Sequence, residues 1–433
     1  MIKKFFTVYF AVPLVWRILA GFVLGIGIGL LCSQLPDPKI QKIVSISDPF
    51  GLVLISMLKM VVFPIIFFSL ILGSASLPLK KSGKLGLSVM VWYFLTSLFA
   101  TVFGVLLAFF LNPKMANFSE KTAGSQLGAE VLKNDPTAGN IGSFFAGLFQ
   151  NPFEALAHGR FLPIVIFSIL FGLAARVLLD HAKTSEKDSN NINAFLSVCD
   201  AARIISFKLI DWIMEYFPFG VFALTFTNFM KNGTILFGPY LRIVSCVVIG
   251  VLGMLLLIYP LAVLIFCREN PYRLLFRLRA PILTAFATRS SAATLPISLQ
   301  TSEKLGISSA LSSFSLPLGC TVNMDGVCVH LPVFVILAGN IFGVPFGLSQ
   351  LLILLLSVVF ASIGAGGIPG GSVFLLFMIL ENAGFEPAQV ASIVALALGI
   401  NPILDMFETA CNVAGDNICT YIVAKRGGMI KSS

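Results

Sequence analysis

The sequence predicts an all-α polytopic membrane protein with eight transmembrane spans, two re-entrant helical hairpins and inverted repeats. Three observations carry that expectation. Of the 433 residues, 57% are hydrophobic and only 11% charged, with a mean hydropathy of +0.95, whereas a soluble domain carries about 25% charged residues. Apolar runs of about 18 residues or more, the length a bilayer requires, recur along nearly the whole chain. Near the C-terminus, two pairs of apolar runs are too short to cross a bilayer at all.

The elements follow in order. "VWRILAGFVLGIGIGLLCS" near 15–33 is the first span and "GLVLISMLKMVVFPIIFFSLILGSASL" near 51–77 the second. The third runs from 86 to 111 and contains "VWYFLTSLFATVFGVLLAFFL". A polar stretch over 112–142 lacks a charge bias and suits the external side. The fourth span holds "FLPIVIFSILFGLAARVLL", and "HAKTSEKDSNN" after it reads as a solvated loop. The fifth carries "EYFPFGVFALTF", and the sixth covers 238–267.

After the sixth span the pattern changes. "APILTAFAT" and "AATLPISLQ" are separated by "RSS". Each run of about nine residues reaches about 14 Å as helix, against a hydrocarbon core about 30 Å thick. A hairpin entering and leaving on one side is the natural solution. The same design returns later, where "LLILLLSVVFASI" breaks at "GAGGIPGG" and resumes as "SVFLLFMIL". A span interrupted by "NMDG" follows the first hairpin, and a polar span follows the second. An odd number of crossings separates the two units, so their topologies are opposed. Paired interrupted segments of this kind point to a transporter with its site near the midplane, since irregular backbone at that depth is tolerated only where it lines a protein cavity.

The net charge of +9 does not indicate a nucleic-acid partner, because the basic residues sit in short loops. Lys80, Lys81 and Lys84 form one cluster, Arg268, Arg273, Arg277 and Arg279 another, and Lys425, Arg426 and Lys431 follow the last span. By the positive-inside rule these mark the cytoplasmic side, and Lys3 and Lys4 put the N-terminus there too. "MIKKFFTVYFAVPLVW" imitates a signal peptide but runs on past Arg17 without a small-residue cleavage site, so a retained span is expected. Cys320, Cys328, Cys411 and Cys419 read as small packing residues, and His158, His181 and His330 make no metal-ligand pattern.

The chemistry sits in "LDMFETACNVAGD", 404–416. On a helical wheel Asp405, Asn412 and Asp416 fall within roughly 20° of one line, with Thr409 near +40° and Glu408 near −60°. Each charge at bilayer depth costs about 2.5–3.5 kcal/mol on insertion scales, so such charges persist when paired or when they bind something. "NMDG" (323–326) adds Asp325 and Asn323, and Gly319 and Gly326 are expected to permit unwinding that frees carbonyl oxygens. Carboxylates, amides and carbonyls make an all-oxygen cage for a hard cation rather than a soft metal. "YFLTS" contributes Thr96 and Ser97, a weak signal alone because such hydroxyls often bond back to their own helix.

In order and spacing, "TRSSAATLP", "NMDG", "SIGAGGIPGG" and "LDMxxTxxNVxGD" resemble the dicarboxylate/amino acid:cation symporters, which include glutamate transporters. The resemblance covers essentially the whole chain and is strongest over 280–425. It implies that Ser291 and Asn412 hold a substrate α-carboxylate. Asp405 takes the α-ammonium, helped by carbonyls of Arg289 and Ile368, with Ser290, Gly370, Glu408 and Thr409 completing the substrate set. It implies one sodium between the Asp416 carboxylate and carbonyls of Gly319, Asn323 and Asn412. A second uses carbonyls of Thr321, Ser362, Ile363 and Ala365, and a third uses Tyr93, Thr96, Ser97, Asn323 and Asp325. It further implies no cofactor beyond sodium as coupling ion, a lipid-embedded homotrimer in the cytoplasmic (inner) membrane, and both termini inside. Residues 1–275 are then mainly scaffold, with spans three and six against the core, 276–425 a moving transport core, and 426–433 a cytoplasmic tail.

Departures shape the substrate expectation. Acidic-substrate members carry arginine where this chain has Glu408 and threonine where it has Val327, and many have aspartate at Asn401. An arginine–carboxylate fork is among the strongest polar contacts, and an acid in its place repels aspartate and glutamate. "ETACN" is similar to the serine/threonine branch, so the expectation is a sodium-coupled symporter of small neutral amino acids. Alternatives are an acidic or C4-dicarboxylate substrate anchored by Arg289, then a cationic amino acid or cystine, with proton coupling also open. Arg289 is expected to neutralise Glu408 or Asp405. An intramembrane hydrolase is disfavoured, because Asp405 and Asp416 lie about 16 Å apart along one helix. A passive channel is disfavoured because paired hairpins suit occluded gates.

Overall fold

A computed structural model describes residues 12–76, 83–111, 146–180, 185–363 and 370–430. The expectations on Lys3, Lys4, Lys80, Lys81, His181, Ala365, Ile368, Lys431 and the polar stretch 112–142 therefore lie outside the described residues.

The described chain is helical throughout. The helices are α1 (Leu14–Cys32), α2 (Asp37–Ala75), α3 (Gly83–Leu111), α4 (Pro152–Ala157), α5 (Phe161–Asp180), α6 (Glu186–Asn232) and α7 (Phe237–Gly253). A π-turn over Met254–Ile258 joins α7 to α8 (Tyr259–Cys267), and a short α9 (Pro271–Arg277) follows. Then come α10 (Arg279–Thr288), α11 (Ser291–Lys304), α12 (Ser309–Val322), α13 (Asp325–Phe342), α14 (Leu348–Ser362), α15 (Gly371–Asn382) and α16 (Pro387–Arg426).

Eight stretches among the described residues are long and apolar enough to cross a membrane, with α7–α8 and the broken pair α12–α13 each serving as one. The chain is a multi-pass membrane protein. Large apolar side chains such as Trp16, Phe110, Trp212 and Leu241 lie exposed on its surface, as a lipid solvent permits.

Two helices outrun the sequence expectation. The second span begins at Asp37, and its 39 residues reach about 58 Å. The expected loop "HAKTSEKDSNN" is helical from Glu186 onward, capped by the Ser185 hydroxyl accepting the Asp188 N–H at 3.1 Å. The physical reason is that polarity alone does not stop a helix. "SEKDSNN" contains an N-cap and first-turn acids but no breaker.

The outer helices α1 and α2 pack along α6, and α5 packs along α2. Along α1, Gly21, Gly25 and Gly29 recur every fourth residue, and a Cβ on Gly25 or Gly29 would lie 2.9 or 2.8 Å from a backbone oxygen of α6. Small residues at this spacing let two backbones close together where lipid provides no hydrophobic drive. The second set comprises α3, α7, α8 and α10–α16, with α16 touching α7, α8, α10, α11, α12, α13 and α15. Within the second set the broken pair α12–α13 and helix α16 are the most enclosed, 94% and 72% of their most apolar windows being buried, against 28% for α1. The polar motifs therefore lie at the centre of the second set.

Candidate substrate and ion site

The backbone sets the site before any side chain does. α10 ends at Arg289, whose φ of 54° is left-handed, an uncommon and strained conformation for a side chain without special backbone preference. The kink turns the chain so that α11 starts at Ser291, with the Ser290 hydroxyl accepting the Ala293 N–H at 3.2 Å. The pair α10–α11 has the helix–break–helix form expected at "RSS". At the second break, Gly370 has φ 79° and opens α15. The break at "NMDG" falls on Asn323 and Met324, between the end of α12 and the start of α13.

The glycines around that break behave differently from expectation. Gly319 and Gly326 remain inside helices and are needed for close approach rather than unwinding. A Cβ on Gly319 would lie 2.5 Å from Oδ1 of Asp416, and one on Gly326 would meet the backbone of Glu408. Gly415 plays the same part on α16, where a Cβ would lie 2.6 Å from the Tyr259 hydroxyl and 2.7 Å from Oδ2 of Asp325.

Asp405, Glu408, Thr409, Asn412 and Asp416 are all buried on the continuous helix α16. Asp405 Oδ2 accepts the Gly370 N–H at 3.1 Å and lies 3.8 Å from Nη1 of Arg289. Of the two partners expected for Arg289, the structure gives Asp405. Glu408 is instead paired through Oε1 with Nδ1 of His330 on α13, both side chains fully enclosed. The Thr409 hydroxyl turns back to the Asp405 carbonyl at 2.7 Å. Asn412 accepts the Gly326 N–H at 2.7 Å, while its Nδ2 has only the thioether of Met324, 3.3 Å away. A thioether is a weak acceptor, so this amide retains donor capacity. Ser291 Oγ, Arg289 Nε, His330 Nε2 and Glu408 Oε2 are buried without any hydrogen-bond partner among the described residues.

One turn farther along α16, at Asp416, a second polar cluster forms around Asn323. Its Oδ1 accepts from the Thr96 hydroxyl at 3.1 Å and its Nδ2 donates to Asp416 Oδ1 at 3.1 Å. Asp325 accepts from Ser97 at 3.0 Å and from Tyr259 at 2.6 Å. Tyr93 donates to the Ser315 carbonyl at 2.8 Å, with its oxygen close to Gly319. Thr321 lies in the last turn of α12, and Ser362 and Ile363 at the end of α14, where carbonyls lack intrahelical donors. Among the described residues no three His, Cys, Asp or Glu side chains converge as a metal set. The donors are oxygens of carboxylate, amide, hydroxyl and carbonyl, which suit a hard cation.

Three participants were missed by the sequence reading: His330, Tyr259 and Gly415. His330 had a usable signal, being an ionisable residue inside "VCVHLPVFVILAG", and such residues mark functional positions by default. Tyr259 and Gly415 had none, because their contacts span 66 residues and more of chain.

Helix pairs and an interrupted span gathering buried polar groups at their breaks define a secondary-transporter type of membrane protein. A family model described as the sodium:dicarboxylate symporter family matches residues 14–426. The chain is 30% identical to a proton/sodium-glutamate symport protein of Bacillus caldotenax, covering 96% of this chain and 95% of the relative. It is 30% identical to the serine/threonine transporter SstT of Bifidobacterium adolescentis over 94% and 89% of the two chains. It is 29% identical to the neutral amino acid transporter B(0) of Mus musculus over 93% and 79%. The chain belongs to the sodium:dicarboxylate symporter family.

Proposed function

We propose that the protein is a sodium-driven symporter of amino acids in the cytoplasmic membrane, with small neutral amino acids as substrates. One observation carries this reading. The single buried helix α16 presents Asp405 and Asn412 beside the Arg289 and Gly370 breaks, and Asp416 beside the Asn323 break. A zwitterion fits the first group: the α-ammonium replaces the loose Arg289 contact at Asp405, and the α-carboxylate takes the donors of Ser291 and Asn412. Carbonyls of Arg289 and Ile368, with Ser290, Gly370 and Thr409, complete that pocket.

Sodium ions fit the second group. The Asp416 carboxylate with Gly319, Asn323 and Asn412 carbonyls makes one site. Tyr93, Thr96, Ser97, Asn323 and Asp325 make another, and carbonyls of Thr321, Ser362, Ile363 and Ala365 a third. Asn323 belongs to two of them and donates to Asp416, so filling one ion site bears on the other. The second hairpin contributes to both substrate and ion sites, and in this reading it closes only over a loaded site, which prevents leak. Residues 276–425 move as a transport core in an elevator-like cycle against a scaffold formed mainly by 1–275, within a homotrimer whose termini are cytoplasmic. The family is one of symporters, and the reading is transport rather than catalysis.

The test is uptake of labelled amino acids into proteoliposomes. Accumulation driven by an inward sodium gradient supports the reading; uptake that ignores sodium and follows a pH gradient overturns it. An acidic substrate anchored by Arg289 is the second reading, favoured by Arg289 Nε, which has no partner among the described residues, and opposed by the carboxylate of Glu408 one turn from Asp405.

A further inference from the structure

The connection between span six and the pair α10–α11 carries charge that the substrate and ion site does not use. Over 268–279, "RENPYRLLFRLR" holds four arginines and one acid. That acid, Glu269, is already taken by Lys425 and by the Tyr421 hydroxyl. Arg277 donates to the Lys304 carbonyl at 3.3 Å, and Arg279 to the Phe276 carbonyl at 3.1 Å. The guanidinium groups of Arg268 and Arg273 make no hydrogen bond or ion pair among the described residues, and both residues are exposed.

The short helix α9 sets this charge in a definite place. Arg268, left-handed at φ 54°, ends α8 and turns the chain. Asn270 then caps α9, accepting the Tyr272 and Arg273 N–H groups at 3.0 and 3.2 Å. At about 100° per residue, Tyr272 and Phe276 make one stripe, Arg273 and Arg277 the next, and Leu274 and Leu278 a third. The leucines are buried, whereas Tyr272 and Phe276 are 57% and 65% exposed. The Tyr272 hydroxyl donates to the Leu256 carbonyl at 3.1 Å, about three turns before the end of α8. The helix therefore folds back along span six instead of leading away from it. Leu257, Leu261 and Leu264 of that span are exposed too, and in a multi-pass protein such a surface faces lipid.

The aromatic stripe thus extends the apolar surface of span six, and the arginine stripe borders it. Rings at headgroup level with cations beside them are the layout of an interfacial element. Arg273 and Arg277, four residues apart on one helix, repel each other, and an anion between them reverses that. A topological signal requires only charge in the loop, not its alignment beside exposed rings.

We propose that α9, with Arg268, is a docking site for the headgroup phosphate of an anionic phospholipid. Arg273 and Arg277 hold the phosphate, and Tyr272 and Phe276 lie against the glycerol and acyl region. The occupant is a lipid rather than a soluble phosphate because the arginines adjoin exposed rings that a small anion does not cover. From α9 the chain passes through Leu278 directly into α10, whose far end is the Arg289 break. The lipid on this proposal anchors the base of the pair α10–α11.

The experiment is a thermal melt of the purified protein in neutral detergent. It is titrated with dioleoylphosphatidylglycerol, dioleoylphosphatidylcholine or glycerol 3-phosphate, and only the first is expected to raise the melting temperature. In Arg273→Gln with Arg277→Gln, the concentration giving half the shift is expected to rise at least about tenfold. Arg273→Lys with Arg277→Lys keeps both charges and is expected to stay within about threefold of the wild type. Lys39→Gln with Lys42→Gln removes two exposed charges at the start of α2 and is expected to leave the titration unchanged. Size-exclusion chromatography checks folding; should the glutamine pair fail it, Arg273→Gln alone, expected to move the titration about fivefold, takes its place. The inference is overturned by an equal shift with phosphatidylcholine or glycerol 3-phosphate, or by no shift with any of the three. It is overturned equally by a glutamine variant that titrates like the wild type, a lysine pair as weak as the glutamine pair, or an equal loss in the Lys39 and Lys42 variant. None of these outcomes bears on sodium-driven uptake, so the transport reading stands or falls on its own test.

Discussion

The hydroxyl of Tyr259 donates to Oδ2 of Asp325 over 2.6 Å, tying the sixth span to the break in the seventh. The same oxygen lies 3.2 Å from the Cys411 carbonyl on α16, so one phenol sits among three helices. The π-turn just before it rotates the start of α8 relative to a regular helix; such turns recur at functional positions. Tyr259→Phe removes one donor from a buried carboxylate, at a cost of about 1–3 kcal/mol. The expected outcome is a lower melting temperature in detergent and a several-fold change in the sodium concentration giving half-maximal uptake. The order in which amino acids compete should not move, and a change in that order would place Tyr259 in the substrate site instead.

Asp416→Asn keeps the volume of the side chain and removes its charge. Asn323 can still find an oxygen, so folding should survive. A cation at that position loses its counter-charge, and the half-maximal sodium concentration should rise at least about tenfold, equivalent to about 1.4 kcal/mol. Sodium titrations of uptake at fixed substrate measure it; an unchanged sodium curve removes Asp416 from the ion site.

Arg289 and Asp405 approach to 3.8 Å with both side chains almost fully buried. Removing either partner leaves the other charge uncompensated, typically worth about 3–5 kcal/mol. Arg289→Ala and Asp405→Ala should each abolish uptake and lower thermal stability. The exchanged pair, Arg289→Asp with Asp405→Arg, should regain stability relative to either charge-changed single variant. A double variant no more stable than the singles would show that the pair is incidental.

Glu408→Arg supplies the fork that acidic-substrate members use. With His330 and Arg289 alongside, the site becomes strongly positive, so the variant is tested together with His330→Ala. Glutamate and aspartate should then compete for uptake at least about tenfold better than in the wild type, while serine loses ground. Competition curves for the same panel on both proteins read the exchange.

Glu269, in the connection after α8, accepts from Lys425 and from Tyr421 at 2.6 Å. These hydrogen bonds, that from Lys425 first, hold its carboxyl below the ordinary glutamate value. A depressed folded value means that the stabilisation is complete above the unfolded value, about 4.3, and is lost as pH falls through the folded one. The group is partly exposed, so solvent screening keeps the effect small. The melting temperature of the wild type should fall toward that of Glu269→Gln as pH drops below about 4.3, and exceed it near neutrality.

The legible part of this protein was everything that depends on local pattern. Span positions, the two breaks at "RSS" and "NMDG", and the polar stripe of α16 follow from run length, punctuation and periodicity, and the structure repeats them. The helix extensions at Asp37 and Glu186 were not legible, because nothing in a polar segment says whether an adjoining helix ends there. The division of partners inside the site was hidden for another reason. Sequence shows that Arg289, Asp405 and Glu408 share a region, but not that His330 reaches Glu408 from a different helix across 78 residues of chain. Gly319 and Gly326 were read as flexible backbone when their use is to leave room for Asp416 and for the backbone of Glu408. A glycine serves either purpose, and only packing distinguishes them.

The two-residue gap between Val322 and Asp325 has an electrical side. α12 ends there and α13 begins, so the negative end of one helix dipole and the positive end of the next are set almost back to back. Asp325 occupies the first position of α13, where half a positive charge offsets its own. The carbonyl end of α12 offers half a negative charge. A continuous helix here would carry neither pole at this depth; the cut gives the membrane interior a paired anode and cathode made from backbone alone.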